Sequence, residues 1–246
     1  METIRNLYRP GRGPSSSHTI GPMNIAKRFI SMMGDAPSCR ITLYGSLAAT
    51  GKGHGTDKVL EDAFEGRKLE IVWEPEVFHE FHPNAMKLEA LDSGNNVICE
   101  KMAFSIGGGA VVFDDEKAES QPVYPHNKME KILDHCNRKG ITLWQYVEAA
   151  EGPDIWPFLQ EIWTVMEEAI ERGLSKEGVI PGGLNLQRKA NSYMRKAHQF
   201  RNIFRRRATL YAYALAVSEE NACGGEIVTA PTCGSCGVLP AVLKYS

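Results

Sequence analysis

Arg40-Ile41-Thr42-Leu43-Tyr44 alternates polar and apolar side chains, the pattern of a β-strand with one buried face. Residues 68–73, 86–91, 96–102 and 110–113 read as further strands. Ser93-Gly94-Asn95-Asn96 has turn chemistry and predicts a hairpin between 86–91 and 96–102. Between residues 20 and 33, Ile25, Ala26, Phe29, Ile30 and Met33 recur at helical spacing. Val59, Leu60, Ala63 and Phe64 do the same for a second helix. Strands interleaved with amphipathic helices predict an α/β or α+β domain over residues 1–125.

Beyond it the texture changes. Residues 114–125 are polar and acidic with two prolines, which reads as a linker or exposed loop. From residue 128 onward only helix signals follow. Thr142 and Gln145 form a capping box, with Leu143, Tyr146, Val147 and Ala150 on one face and Gly152-Pro153 as the stop. Leu159, Ile162, Trp163, Met166, Ala169 and Ile170 make a second stripe. Leu186, Ala190, Tyr193, Met194, Ala197 and Phe204 begin a third, which runs into the apolar stretch 208–217. Residues 126–246 are thus expected to form an all-α domain. Its last apolar run, 238–243, has nothing after it to pack on, which predicts an exposed apolar patch and a truncated domain.

Composition narrows the function. The 246 residues carry 28 basic and 30 acidic side chains, a net charge of −2, which excludes a generally basic nucleic-acid binder. No run approaches the ~18 apolar residues of a membrane span. The first residues lack the apolar core of a secretory signal, so a cytoplasmic location is expected. Six cysteines then suggest reduced thiols, metal ligands or buried packing.

Five stretches carry chemistry. Gly13-Pro14-Ser15-Ser16-Ser17-His18-Thr19-Ile20-Gly21-Pro22 precedes a helix, and hydroxyls with free amides at a helix start suit a carboxylate or phosphate. A flexible serine-rich loop explains the composition equally well. In Thr50-Gly51-Lys52-Gly53-His54-Gly55-Thr56-Asp57, glycines allow close approach of a ligand, and Asp57 could orient an imidazole; a surface turn is the plainer account. Ser105-Ile106-Gly107-Gly108-Gly109 is an anion nest or a hairpin turn. The segment 181–188 leads into a helix with eight basic and no acidic residues between Arg188 and Arg207, either a solvated face or partners for acidic groups elsewhere in the protein. Cys223, Cys233 and Cys236 lie within 14 residues, and the CxxC pair suits zinc, an iron–sulfur cluster, a redox dithiol or plain packing.

Taken in order, GPSSSHTIGPM at 13–23, ATGKGHGTD at 49–57, SIGGG at 105–109, PGGLNLQRKA at 181–190 and ENACGGEIVTAPTCGSCGVLPAVL at 220–243 resemble the iron–sulfur-dependent L-serine dehydratases (L-serine ammonia-lyases) of bacteria. The resemblance spans essentially the whole chain. It implies an α/β domain followed by an all-α domain, and conversion of L-serine to pyruvate and ammonia without pyridoxal phosphate, as part of amino-acid degradation. It also implies a [4Fe-4S] cluster whose open iron acts on the serine hydroxyl as a Lewis acid.

By matching position, the resemblance makes His54 the base or proton-transfer group. It makes Ser15, Ser16, Ser17, His18 and Thr19 binders of the substrate carboxylate, with Ser105 a weaker candidate. Cys236 matches a cluster ligand, Cys233 stands where the family often has asparagine, and Cys223 matches none. Further cluster cysteines lie C-terminal to this segment in the family, so truncation or a second polypeptide is expected. The implied partners are L-serine and a second copy in a homodimer, with neither nucleic acid nor membrane. The rival readings are a non-catalytic module binding serine or a related carboxylate, a fragment inactive without a second chain, and a zinc or redox protein built on Cys233 and Cys236.

Overall fold

The computed structural model describes residues 1–116, 122–199 and 201–246. After the short strand β1 (Pro10–Arg12), a π-helical turn (Ser16–Ile20) runs directly into α1 (Gly21–Met32), with Pro22 at its start. Next come β2 (Ser38–Tyr44), α2 (Gly45–Thr50), α3 (Thr56–Ala63) and β3 (Lys68–Glu74). Then β4 (Ala85–Leu91), β5 (Val97–Gly107) and β6 (Ala110–Phe113) complete a five-stranded sheet of order β3-β2-β4-β5-β6. Its β2–β3 pair is parallel and the rest antiparallel. The hairpin expected at 93–96 joins β4 to β5. Asp92 accepts the amides of Gly94 and Asn96, and Asn95 takes the left-handed conformation.

Alternation decides which face of the sheet is covered. Cys39, Ile41 and Leu43 of β2 and Met86, Leu88 and Ala90 of β4 point into one core with Ile25, Ala26 and Phe29 of α1 and with Leu47 and Leu60. The intervening positions carry ion pairs on the other face, Arg40 to Glu70 and Lys87 to Glu89 and Glu100.

The second body is built of α4 (Met129–Lys139), α5 (Leu143–Glu151), α6 (Ile155–Ser175), α7 (Ala190–Ala197), α8 (Asn202–Ala222) and α9 (Val238–Tyr245). The capping box at Thr142 and Gln145 is present. The body is helical as expected, with one short addition: β7 (Glu226–Val228) pairs antiparallel with β1 and ties the last part of the chain to the first. Three residues are too few to show a period in sequence. Two expectations are corrected. The third stripe does not form one helix. Leu186 precedes it in an extended stretch bridging Val179 to Gln187, and the helix breaks between α7 and α8, which pack on each other and bury Ala190, Ala197, Ala212 and Ala216. Lastly, the polar stretch 114–125 is not all exposed loop. Residues 117–121 lie outside the described set, but Tyr124 is buried, its hydroxyl donating to Glu151 at 2.7 Å.

Val238, Val242 and Leu243 of α9 are exposed beside an apolar groove of about 470 Å³ lined by Tyr8, Leu159, Trp163 and Leu239. No helix among the described residues is long and apolar enough to cross a membrane.

Candidate functional site

The serine-rich stretch forms a built turn. Ser15 caps it: its hydroxyl accepts the amide of His18 at 3.1 Å, and its carbonyl accepts those of Thr19 and Ile20. The amides of Ser16 and Ser17 come before these and find no acceptor within the turn, which leaves two donors at the positive end of a continuous helix. Ser17 half-faces solvent and Ser16 is nearly buried.

His18 and His54 meet here with ring centroids 4.8 Å apart. Burial first, and then the neighbouring His54, hold the His18 imidazole below its ordinary pKa, so it is neutral at pH 7. Its Nε2 faces the carbonyl of Ser46 at 3.2 Å and the Ser46 hydroxyl at 3.0 Å. Placing the proton there leaves Nδ1 to accept from the Ser17 hydroxyl at 3.0 Å. His54 is fixed through Nδ1, 3.0 Å from the carbonyl of Thr50, so the neutral ring carries its lone pair on Nε2. Asp57 does not perform the orienting role considered for it; its carboxylate accepts the amide of Lys58 at the start of α3.

His54 lines a cavity of about 370 Å³ between the two bodies, with Lys52, Lys58, Pro181, Gly182 and Cys223. A neighbouring cavity of about 560 Å³ is larger but holds neither histidine. The smaller cavity is the one that His54 lines, and the larger is lined by the carboxylates Glu220 and Glu226 instead.

Ser105 lies underneath the turn rather than in it. It is fully buried, and its hydroxyl donates to the Ser17 carbonyl at 2.8 Å, so it supports the turn. Thr19 is likewise buried, its hydroxyl bonded to the His54 carbonyl. The glycine triple makes the β5–β6 turn; a side chain at Gly109 would meet Ile20, and one at Gly108 the Pro231 carbonyl. Of the two readings open for it, the hairpin turn is the one seen.

Cys233 and Cys236 are buried against Ile20, the last residue of the π-helical turn, together with Ile170, Val217 and Ile227. Burial pushes both thiols up to about 12. A cluster needs three or four thiolates. Among the described residues no group of three His, Cys, Asp or Glu side chains could hold a metal. The residues present therefore do not by themselves fit a complete cluster or zinc site.

Sequence reasoning missed several supports: Ser46 and Thr50, which hold the two imidazoles, Thr56, and Glu220. Glu220 is buried among Lys176, Arg188 and Arg172 at 2.8, 2.9 and 3.5 Å, so part of the basic run answers to this carboxylate. The clue was the pairing of an acid-free basic run with Glu219-Glu220 later in the chain.

Residues 80–246 match the family described as serine dehydratase alpha chain, and residues 3–72 the one described as serine dehydratase beta chain. The division between the two matches falls within the sheet, between β3 and β4. An L-serine dehydratase of Haemophilus influenzae is 33% identical over 301 aligned positions, covering 100% of this chain and 66% of the relative. L-serine dehydratase 2 of Escherichia coli is 33% identical, again covering 100% and 66%. An L-serine dehydratase of Streptomyces coelicolor is 32% identical, covering 99% and 65%. The chain thus spans about two thirds of the length of these curated relatives.

Proposed function

The chain belongs to the serine dehydratase family, and from that premise we propose that it acts on L-serine as a lyase, releasing pyruvate and ammonia. One observation carries this reading: five motifs far apart in sequence converge on one place. Ser17 rests on Ser105, Thr19 bonds to the His54 segment, Gly13 packs against Asn221, Pro181 and Gly182 wall the His54 cavity, and the CxxC pair packs on Ile20.

In this reading the amides of Ser16 and Ser17 receive the substrate carboxylate at the helix start, while the Ser17 hydroxyl stays on His18 Nδ1. His54 Nε2 takes the α-proton. His18, neutral and tied to Ser46 and Ser17, shapes the pocket without adding a charge that would oppose protonation of His54. A [4Fe-4S] cluster, whose chemistry would be activation of the departing hydroxyl, would take Cys236 and more weakly Cys233 from this chain and needs ligands beyond the described set. No step is assigned to it. Free L-serine and reduced cysteines both suit the cytoplasm, and a homodimer is the assembly we expect.

The test is product analysis after anaerobic treatment of the protein with iron and sulfide. Pyruvate and ammonia formed in equal amounts from L-serine, and not from D-serine, support the reading. Protein that takes up iron and sulfide and yields neither product contradicts it and favours a carboxylate-binding module.

A further inference from the structure

The two imidazoles belong to different motifs, and nothing in their own side-chain bonds joins them. Their backbones are joined, and reciprocally. The Thr19 hydroxyl, one residue after His18, donates to the His54 carbonyl at 2.9 Å. The Thr56 hydroxyl, two residues after His54, donates to the His18 carbonyl at 2.5 Å. Thr19 also accepts the amide of Ser15 at 3.2 Å, which ties the brace to the capped turn. Both threonines are buried, 1% and 0% exposed, where a hydrogen bond is screened little by water. Thr56 opens α3, and its hydroxyl goes to the other motif and not to a cap of its own helix. The branched side chain leaves little χ1 freedom, so each hydroxyl is aimed by its own backbone.

We infer that Thr19 and Thr56 are positioning residues that act as a reciprocal brace, holding His18 and His54 at working separation. The inference rests on the L-serine reading for its catalytic consequence, but the brace itself is a statement about geometry. Without the Thr56 hydroxyl, the turn at 16–20 keeps its bonds to the Ser15 carbonyl and the loop at 51–56 keeps those that the His54 and Thr56 amides donate to the Gly51 carbonyl; without the Thr19 hydroxyl, the turn loses in addition the bond from the Ser15 amide.

The experiment is a titration of both imidazoles by NMR in the unmodified protein, Thr19→Val, Thr56→Val, and the two serine variants, each with and without His54→Gln. The other charged groups beside His54 are Arg12, Lys52, Lys58, Asp62 and Cys223 from the cavity wall and Asp57 from α3; they are common to every variant. In the unmodified protein, His54→Gln should raise the His18 midpoint by about half a pH unit at low salt, as two charges at this separation require. In the valine variants that rise should disappear, and in the serine variants it should return. Where L-serine is turned over, the valine variants should lose about a hundredfold in kcat with KM little changed, the effect of a displacement near 1 Å. Thr56→Ala replaces Thr56→Val if the latter does not fold. A coupling equal to the unmodified value in folded valine or alanine variants overturns the brace. Absence of turnover in every protein overturns the L-serine reading instead, while the titration still decides the brace.

Discussion

Ser17 is the member of the serine turn that can both face a ligand and touch His18. Removing its hydroxyl leaves the cap at Ser15 intact, so Ser17→Ala should fold normally and act on binding. The hydroxyl donates to the neutral His18 Nδ1 and steadies the turn that presents the amides, a hydrogen bond worth ~0.5–1.5 kcal/mol, so KM for L-serine should rise roughly two- to tenfold, with a smaller rise for the more buried Ser16→Ala. Steady-state kinetics on both variants checks this, and an unchanged KM returns the turn to a purely structural role. At this scale the sequence was informative about residue type and silent about contact. The histidines and serines stand out in their motifs, but no local pattern says that His18 lies on His54. Ser105 shows the same limit, since a serine after a strand reads alike whether its hydroxyl meets a substrate or a carbonyl beneath it.

Among elements, α6 and α8 cross where Gly173 has no side chain. A Cβ there would lie 2.2 Å from the carbonyl oxygen of Ala216, and neither helix backbone can yield. Gly173→Ala would gain about 1 kcal/mol of helix propensity, and forced overpacking costs about 1–3 kcal/mol. The variant should therefore be less stable in urea or guanidinium unfolding, and equal or greater stability would show that the crossing is not tight. Long periodic segments such as 155–175 and the strands 38–44 and 85–91 were legible because many residues vote for one period. The pairing of β1 with β7 was not, because its partners are three residues long and come from opposite ends of the chain. The break between α7 and α8 escaped because the apolar stripe continues through it while the packing of the alanines reverses the chain.

For the whole molecule, Glu220 links α8 to α6 and to Arg188 ahead of α7, in the wall of the larger cavity. Burial alone would push its carboxyl up, but the hydrogen bonds from Lys176 and Arg188 outweigh it and hold the group below the usual glutamate range. A carboxylate depressed in the folded state stabilises above its ordinary pKa and loses that contribution as pH falls through the folded value. Glu220→Gln should cost up to about 3 kcal/mol near neutral pH, because it leaves the buried Arg188 without its counter-charge, while the more exposed Lys176 and Arg172 are screened by water. The gap between variant and unmodified protein should narrow as pH falls from about 5 to about 3. Thermal or denaturant unfolding across that range checks the sign; a gap that widens on acidification contradicts it. The site assembled from both bodies depends on this junction, and its central claim is that His54 moves the α-proton of L-serine. The most direct measurement is pyruvate formation by His54→Ala beside the unmodified protein, both treated with iron and sulfide and matched for iron content. The same iron content and a loss of ~10²–10⁴-fold in turnover, the usual worth of a general base, are expected; near-normal turnover at equal iron content would remove His54 from the reaction.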